Sequence, residues 1–188
     1  MSFINDPTRA FSPLLKLTAF SDAQMTKEVG SLLLPYDATA MDSTYSNIIC
    51  DPKTIGAQSG TGTYKGTKSS DLRVSFLLDD TTYSNLVAYA LPAILITDSV
   101  DAIVKKLLSY CYSQNETTGE PNYLLLKPYG MPLVDSPGGG FKGRLLTMNI
   151  KNEIVSLLGD RVKAKIDCTF KESLSPEQLN KTMAATVK

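Results

Sequence analysis

Between Asp71 and Asp80 the chain alternates, with Leu72, Val74, Phe76 and Leu78 on one side and Asp71, Arg73, Ser75 and Leu77 on the other. A period of two marks a half-buried β-strand, and the adjacent carboxylates Asp79 and Asp80 end it. The longest alternation comes later. Leu146, Met148, Ile150 and Ile154 oppose Thr147, Asn149, Lys151 and Glu153; after a turn at Leu158-Gly159-Asp160, Val162, Ala164, Ile166, Cys168 and Phe170 alternate with Arg161, Lys163, Lys165, Asp167, Thr169 and Lys171. This predicts a hairpin over 144–171 whose strands run about ten residues, longer than the usual five or six. Shorter strands are predicted at Leu14–Phe20, opened by Pro13, at Gly30–Tyr36, turned by Pro35, and at Tyr123–Leu126, stopped by Pro128 and Gly130. One stretch has helical spacing: Val100, Ile103, Val104, Leu107, Leu108 and Cys111 fall at i, i+3, i+4, i+7, i+8 and i+11, giving a helix over 98–112 with Asp98 as its cap.

The segments between these elements set the domain organisation. Residues 1–12 read as a polar arm, 13–174 as one β domain, and 175–188 as a C-terminal helix and tail beginning at Ser175-Pro176-Glu177, with proline at the first helical position. Within the domain, 37–70 is rich in Ser, Thr, Gly and Asp and reads as a long surface excursion with one edge strand at Gly60–Gly66. Residues 81–97 form an insert in which Pro92 argues against one continuous helix. Residues 113–121 are a polar loop with the sequon Asn115-Glu116-Thr117, and Met131–Gly140 is a Pro/Gly loop. The expected class is mainly β (α+β), with one amphipathic helix. With 188 residues and 43% of them hydrophobic, the chain can build a single core, since a chain of this size buries roughly 70% of its unfolded surface.

Composition removes chemistry. There is no histidine, which excludes Ser-His-Asp and Cys-His nucleophile schemes and every His-containing zinc site. Nineteen basic and nineteen acidic residues cancel, so no bulk field draws nucleic acid or anionic lipid. Cys50, Cys111 and Cys168 are odd in number and far apart, which suits reduced thiols better than a disulfide framework or a metal knuckle. Met1–Ala10 holds Asp6 and Pro7 and no apolar core after a basic start, so no secretory signal is expected and synthesis is assigned to the cytoplasm. Thr81–Thr97 is too short and too polar to span a bilayer.

The motifs that remain are weak. Gly138-Gly139-Gly140-Phe141-Lys142-Gly143 has G-x-G-x-x-G spacing but opens a strand, so no helix N-terminus is there to meet a pyrophosphate. Asp79 and Asp80 are strand neighbours that point apart, and Asp37, Asp42 and Asp51 lack calcium-loop spacing. Arg161, Lys163, Lys165 and Lys171, with Lys151 and Arg144, make one strand face basic; Asp167 and Glu153 interrupt it and no aromatics interleave. No catalytic residue, metal or cofactor is expected. Long two-faced strands without reactive groups read as a structural or binding module, whose open edges another subunit completes.

Several stretches together resemble a known family, the tube-like proteins of contractile injection systems, the phage-tail-like machines of bacteria, and within it the baseplate or adaptor members that often carry a LysM module. They are Lys16-Leu17-Thr18-Ala19-Phe20; Leu34-Pro35-Tyr36-Asp37-Ala38-Thr39, where the family turn has Asn-Pro at the place of Asp37-Ala38; Leu72 through Thr81; Tyr123-Leu124-Leu125-Leu126-Lys127 with Gly130; Phe141-Lys142-Gly143; and Arg161 through Glu172. The sequence ends at Lys188, leaving no room for LysM. The resemblance implies an antiparallel β-barrel or sandwich with one flanking helix, assembled as a six-membered homo-oligomeric ring in a baseplate or at an inner-tube end, between tube, spike or hub and the wedge or sheath proteins, within an assembled injection particle and without catalysis; the charge balance and the polar 81–97 run add the expectation of no nucleic-acid partner and no direct membrane insertion. Expected subunit-interface residues are Leu146, Met148, Ile150, Arg161, Lys163, Lys165, Tyr36 and Tyr64. Two other readings stay open: a monomeric small-molecule-binding β-barrel, prompted by the Tyr/Leu-rich segments 81–97 and 123–129, and last a carboxylate hydrolase using Asp79 or Asp80.

Overall fold

The computed structural model describes residues 13–50, 63–67, 69–80, 98–114, 119–128 and 140–173. The arm 1–12, the insert 81–97, the sequon, Gly138, Gly139 and the C-terminal helix expected from 175 lie outside these residues. In chain order the elements are β1 (Leu14–Phe20), β2 (Glu28–Pro35), a 3-10 turn (Ala38–Ala40), β3 (Asp42–Thr44), β4 (Asn47–Cys50), β5 (Thr63–Thr67), β6 (Asp71–Asp79), helix α1 (Val100–Cys111), β7 (Tyr123–Pro128), β8 (Phe141–Val155) and β9 (Arg161–Glu172). Among the described residues, seven strands form one sheet in the order β2-β1-β7-β8-β9-β6-β3, and β4 and β5 form a separate two-stranded ribbon. Every pairing is antiparallel.

Of the two forms expected, the sheet takes the sandwich-like one. Its far ends meet only at an isolated bridge between Tyr36 and Phe76 and at the bond from the Asp37 N–H to the Ser75 carbonyl, 2.9 Å, so the ladder does not close into a barrel. The core lies between the layers: Leu15 and Leu17 of β1, Leu72, Phe76 and Leu78 of β6, Leu124 and Leu126 of β7, and Ile166 and Phe170 of β9 are fully buried. Each such side chain contributes about 1.5–3 kcal/mol by leaving water.

Local chemistry fixes the turns. Between β1 and β2 the Asp22 carboxylate accepts from the N–H groups of Thr26 and Lys27 and from the Thr26 hydroxyl, holding a turn in which Met25 takes a left-handed φ of 56°. At the β8–β9 turn the Ser156 hydroxyl oxygen accepts from the N–H groups of Leu158 and Asp160. Gly159 sits there at φ +93°, a conformation that side chains disfavour.

Helix α1 buries Val100, Ile103, Val104, Leu107 and Cys111, as its spacing predicts. Its cap is Ser99, not Asp98: the Ser99 hydroxyl accepts from the Ala102 N–H at 3.3 Å, because it stands immediately before the first helical residue. Asp98 lies one position too early and pairs with Lys106 instead. Asp80, expected only to stop β6, accepts from the Val100 N–H at 3.0 Å and places its charge at the positive end of the helix.

Two further expectations need correction. The edge strand expected at Gly60–Gly66 overlaps β5, Thr63–Thr67, but the excursion 37–70 also contains β3 and β4, because short strands without a buried face pair through their backbones and carry no apolar alternation. Leu146 and Ile154 do not share a face with Met148 and Ile150. Register shifts between Leu145 and Thr147 and between Asn152 and Ile154 insert extra residues into β8, so Leu145, Met148 and Ile150 pack on the core while Leu146 and Ile154 are exposed.

Candidate functional site

β8, β9, β6 and β3 form a four-stranded unit in which each strand is antiparallel to the next. Three successive reversals leave β3 running opposite to β8. The pairing of β7 with β8 covers only Phe141, Lys142 and Gly143. From Arg144 to Val155 the other edge of β8 has no strand beside it among the described residues, and β3 is the edge on the far side. The unit therefore ends in two open edges of opposite direction, each a row of backbone donors and acceptors.

Its face away from the core is polar and internally neutralised. Across the strands run the rows Lys151, Lys165, Leu77 and Asn149, Asp167, Ser75 and Thr147, Thr169, Arg73. Lys163 meets Glu153 at 3.3 Å and Lys165 meets Asp167 at 3.8 Å. The hydroxyl of Ser75, itself a buried residue, donates to Asp167 at 2.5 Å. Arg144 bonds Glu120 at 2.5 Å and lies 4.0 Å from the Tyr123 ring centroid. The basic strip read from the sequence is thus mostly paired with carboxylates on its own surface. Such part-exposed pairs add little stability, about 0–1 kcal/mol each, but they leave no single-sign field.

At the helix end of the hairpin, Arg161 clasps Asp101: its N–H donates at 3.1 Å and its guanidinium at 2.7 Å. The backbone bond first, then the side-chain bond and charge, hold the Asp101 carboxyl below the usual carboxylate range. Burial pushes the Cys111 thiol up to about 12 and raises Cys168 as well, with Cys111 and Asp167 adding to the effect. Neither thiol is nucleophilic near neutral pH. Among the described residues no group of three or more Cys, Asp or Glu is placed to hold a metal ion, and no helix is long and apolar enough to cross a membrane.

Of the residues expected at an interface, Leu146 is exposed and Arg161, Lys163 and Lys165 are half-buried, all on one hairpin. Met148 and Ile150 lean on the core. Tyr36 is buried, 7% exposed, and burial raises its hydroxyl pKa. Tyr64 is exposed on the separate β4–β5 ribbon. Two clusters escaped the sequence reading. Leu157 and Leu158 stand fully in solvent at the β8–β9 turn, beside exposed Ile154 and Val155, and Tyr45, Ile48 and Ile49 are exposed with Tyr64 on the ribbon. The signal for the first was present: Ile154-Val155-Ser156-Leu157-Leu158 is an apolar run across a turn, where polar residues are the rule.

No curated protein matches the chain. The family model described as contractile injection system tube protein matches residues 13–181, almost the whole chain and every strand of the described residues. With its antiparallel, sandwich-like β domain, this chain belongs to the contractile injection system tube protein family.

Proposed function

We propose that the chain is a structural subunit that closes into a six-membered ring at the baseplate or inner-tube end of a contractile injection system, joining the central tube or hub to the surrounding proteins. The observation that carries this reading is the pair of open edges. In a ring every copy points the same way, so the β3 of one copy meets the β8 of the next with the two strands antiparallel, the geometry required to continue the ladder from subunit to subunit. The contact is heterologous and closes when the rotation per copy divides the circle.

The polar face of Lys151, Lys163, Lys165 and Asp167 then lines one side of the wall, and the core and α1 lie behind it. Leu146 and Thr147, at the first bulge of β8, sit on the edge that a neighbour covers, whereas Tyr36, Met148 and Ile150 hold the layer beneath. No step of this role requires a reactive group. A monomeric ligand-binding barrel would need a closed sheet around an open cavity; here Phe76, Phe170 and Leu107 fill the space between the layers. Native mass spectrometry of the purified chain tests the ring: the expected species has six times the 20.4 kDa of one copy, and a chain that stays monomeric at every concentration refutes it.

A further inference from the structure

A few backbone hydrogen bonds fix which residues face out along the two open edges. The Ser75 carbonyl accepts from the Asp37 N–H, on the side of β6 away from β9, because β9 covers the other side from Asp71 to Asp79. The Ser70 carbonyl accepts from the Glu172 N–H of β9. Backbone groups alternate between the two sides of a strand, and β6 pairs on both sides without a bulge. Asp71, Arg73 and Ser75 therefore turn theirs toward β3, and Leu72, Val74 and Phe76 toward β9. Asp42 and Thr44, opposite Arg73 and Asp71, bond back to β6, which leaves the N–H and C=O of Ser43 on the open edge. Carried across β9, the same alternation turns Thr169, Asp167 and Lys165 toward Thr147, Asn149 and Lys151, and the bond from the Ser173 N–H to the Lys142 carbonyl has this parity. Met148, Ile150 and Asn152 thus present their backbone groups outward, on the stretch of β8 that β7 leaves uncovered.

A neighbour's β3 can join this edge only with Ser43 opposite Met148, Ile150 or Asn152, and antiparallel pairing then fixes the residues on either side. With Ser43 at Met148, Asp42 meets Asn149. With Ser43 at Ile150, Asp42 meets Lys151 and Thr44 meets Asn149. With Ser43 at Asn152, Asp42 meets the bulge at Glu153. Charge separates the three. Lys151 is exposed and stands directly across from Lys165, a like-charge pair that weakens the ladder. Lys165 has Asp167 beside it, whereas Lys151 has no ion pair among the described residues, and neither has Asp42, exposed on β3. The registers put Asp42 on the same polar face as Arg73, Thr169 and Thr147, and so on the face of Lys151.

We infer that Asp42 of one copy and Lys151 of the next form an ion pair that sets the register of the shared ladder, with Ser43 opposite Ile150 and Thr44 opposite Asn149. This rests on the ring reading above and adds to it the residues that choose the register. The pair falls at a non-hydrogen-bonded position of the new β3–β8 ladder, where opposing side chains approach most closely. It brings a carboxylate to the Lys151–Lys165 cations, so a repulsion inside one copy is relieved when the next copy arrives. β3 is three residues long, and its backbone bonds alone are the same in all three registers. A slip of two residues moves Asp42 to Asn149, which forfeits the pair, or to Glu153, which replaces it with repulsion. The occupant of the edge is a second copy because this chain carries both halves of the match, opposite in strand direction and in charge, on edges that each lack a partner strand among the described residues.

Cysteine crosslinking of the full-length protein reads the register directly. In a Cys50→Ser chain, three pairs are compared after oxidation with glutathione disulfide: Thr44→Cys with Asn149→Cys, Thr44→Cys with Thr147→Cys, and Ser43→Cys with Asn152→Cys. All of these positions are exposed, whereas Cys111 and Cys168 are buried. The Thr44–Asn149 pair is expected to give disulfide-linked multimers on a non-reducing gel and the other two are not. Charge reversal gives a second readout. Asp42→Lys and Lys151→Asp, each with the circular dichroism of wild type, are expected to raise the concentration for half-maximal ring assembly about tenfold or more. The combined swap restores it, and the restoration weakens as salt is raised. Rings that crosslink through Thr147, through Asn152 or through none of the three pairs, or single reversals that assemble like wild type, overturn the inference and leave the ring reading in place. A chain that never forms rings overturns both.

Discussion

Gly143 lies where β7, β8 and β9 run side by side, opposite Leu124 on one neighbour and Glu172 on the other. A Cβ at this position would be driven into the Lys171 carbonyl oxygen, 3.0 Å from its carbon, and 2.6 Å from Cε1 of Phe141. Lys171 cannot retreat, because it is held between Arg144 and Asp71 in the ladder. Gly143 has no positive φ, so alanine brings steric crowding without backbone strain. Overpacking costs about 1–3 kcal/mol, and separating β8 from β9 enough to relieve it loses a hydrogen bond worth about 1 kcal/mol. Gly143→Ala is therefore expected to lose about 2–4 kcal/mol of a total of about 5–15 kcal/mol, lowering Tm by about 4–16 °C for a domain of this size. Urea unfolding followed by circular dichroism measures it. Gly30→Ala is the control: its Cβ meets the Tyr110 hydroxyl at 2.5 Å, the far end of a side chain that can swing away, so the loss is expected to be smaller. A Gly143→Ala protein as stable as wild type would refute the close approach of β8 to β9 at this position.

The remaining expectations concern the core, the thiols, the Arg161–Asp101 clasp and the β8–β9 turn. Phe170→Ala, at a fully buried position, is expected to cost about 3–5 kcal/mol in the same unfolding assay. Cys111 and Cys168 are buried with raised pKa values, so a thiol reagent at pH 8 should leave both unmodified in the native protein and label them on unfolding, as peptide mass mapping will show. Asp101 titrates below its ordinary value in the folded state, so its contribution is present above the unfolded carboxylate pKa and disappears as pH falls through the folded one. The Tm difference between wild type and Asp101→Asn should thus be constant near neutral pH and vanish in acid. Leu157→Lys, at a fully exposed turn position, should change stability by no more than about 0.5 kcal/mol.

The legible parts of the fold were those where burial imposes a period. β6 and β9 each bury every second residue, and α1 buries one stripe, so alternation and helical spacing gave their positions to within a residue or two. β8 defeated the same reasoning because its bulges change which parity faces inward, and bulges leave no mark in an apolar pattern. β3 and β4 were hidden for a different reason: a strand with no buried face carries no hydrophobic alternation, and its pairing is a property of the backbone. Asp80 and Asp101 were seen as charges, but their partners, the N–H of Val100 and Arg161, lie 20 and 60 residues away, beyond the reach of local spacing. The candidate site was readable as a hairpin with a polar face. Its open edge was not, since that depends on how few residues of β8 are covered by β7.

That edge is the central claim, and electron cryomicroscopy of the assembled ring at a resolution that separates strands tests it most directly. The account predicts that the β3 of a neighbouring copy lies antiparallel along β8 between Arg144 and Val155, so that the ladder continues around the ring. A ring in which that stretch of β8 faces solvent, or is met by a side-chain contact with no shared ladder, would contradict it.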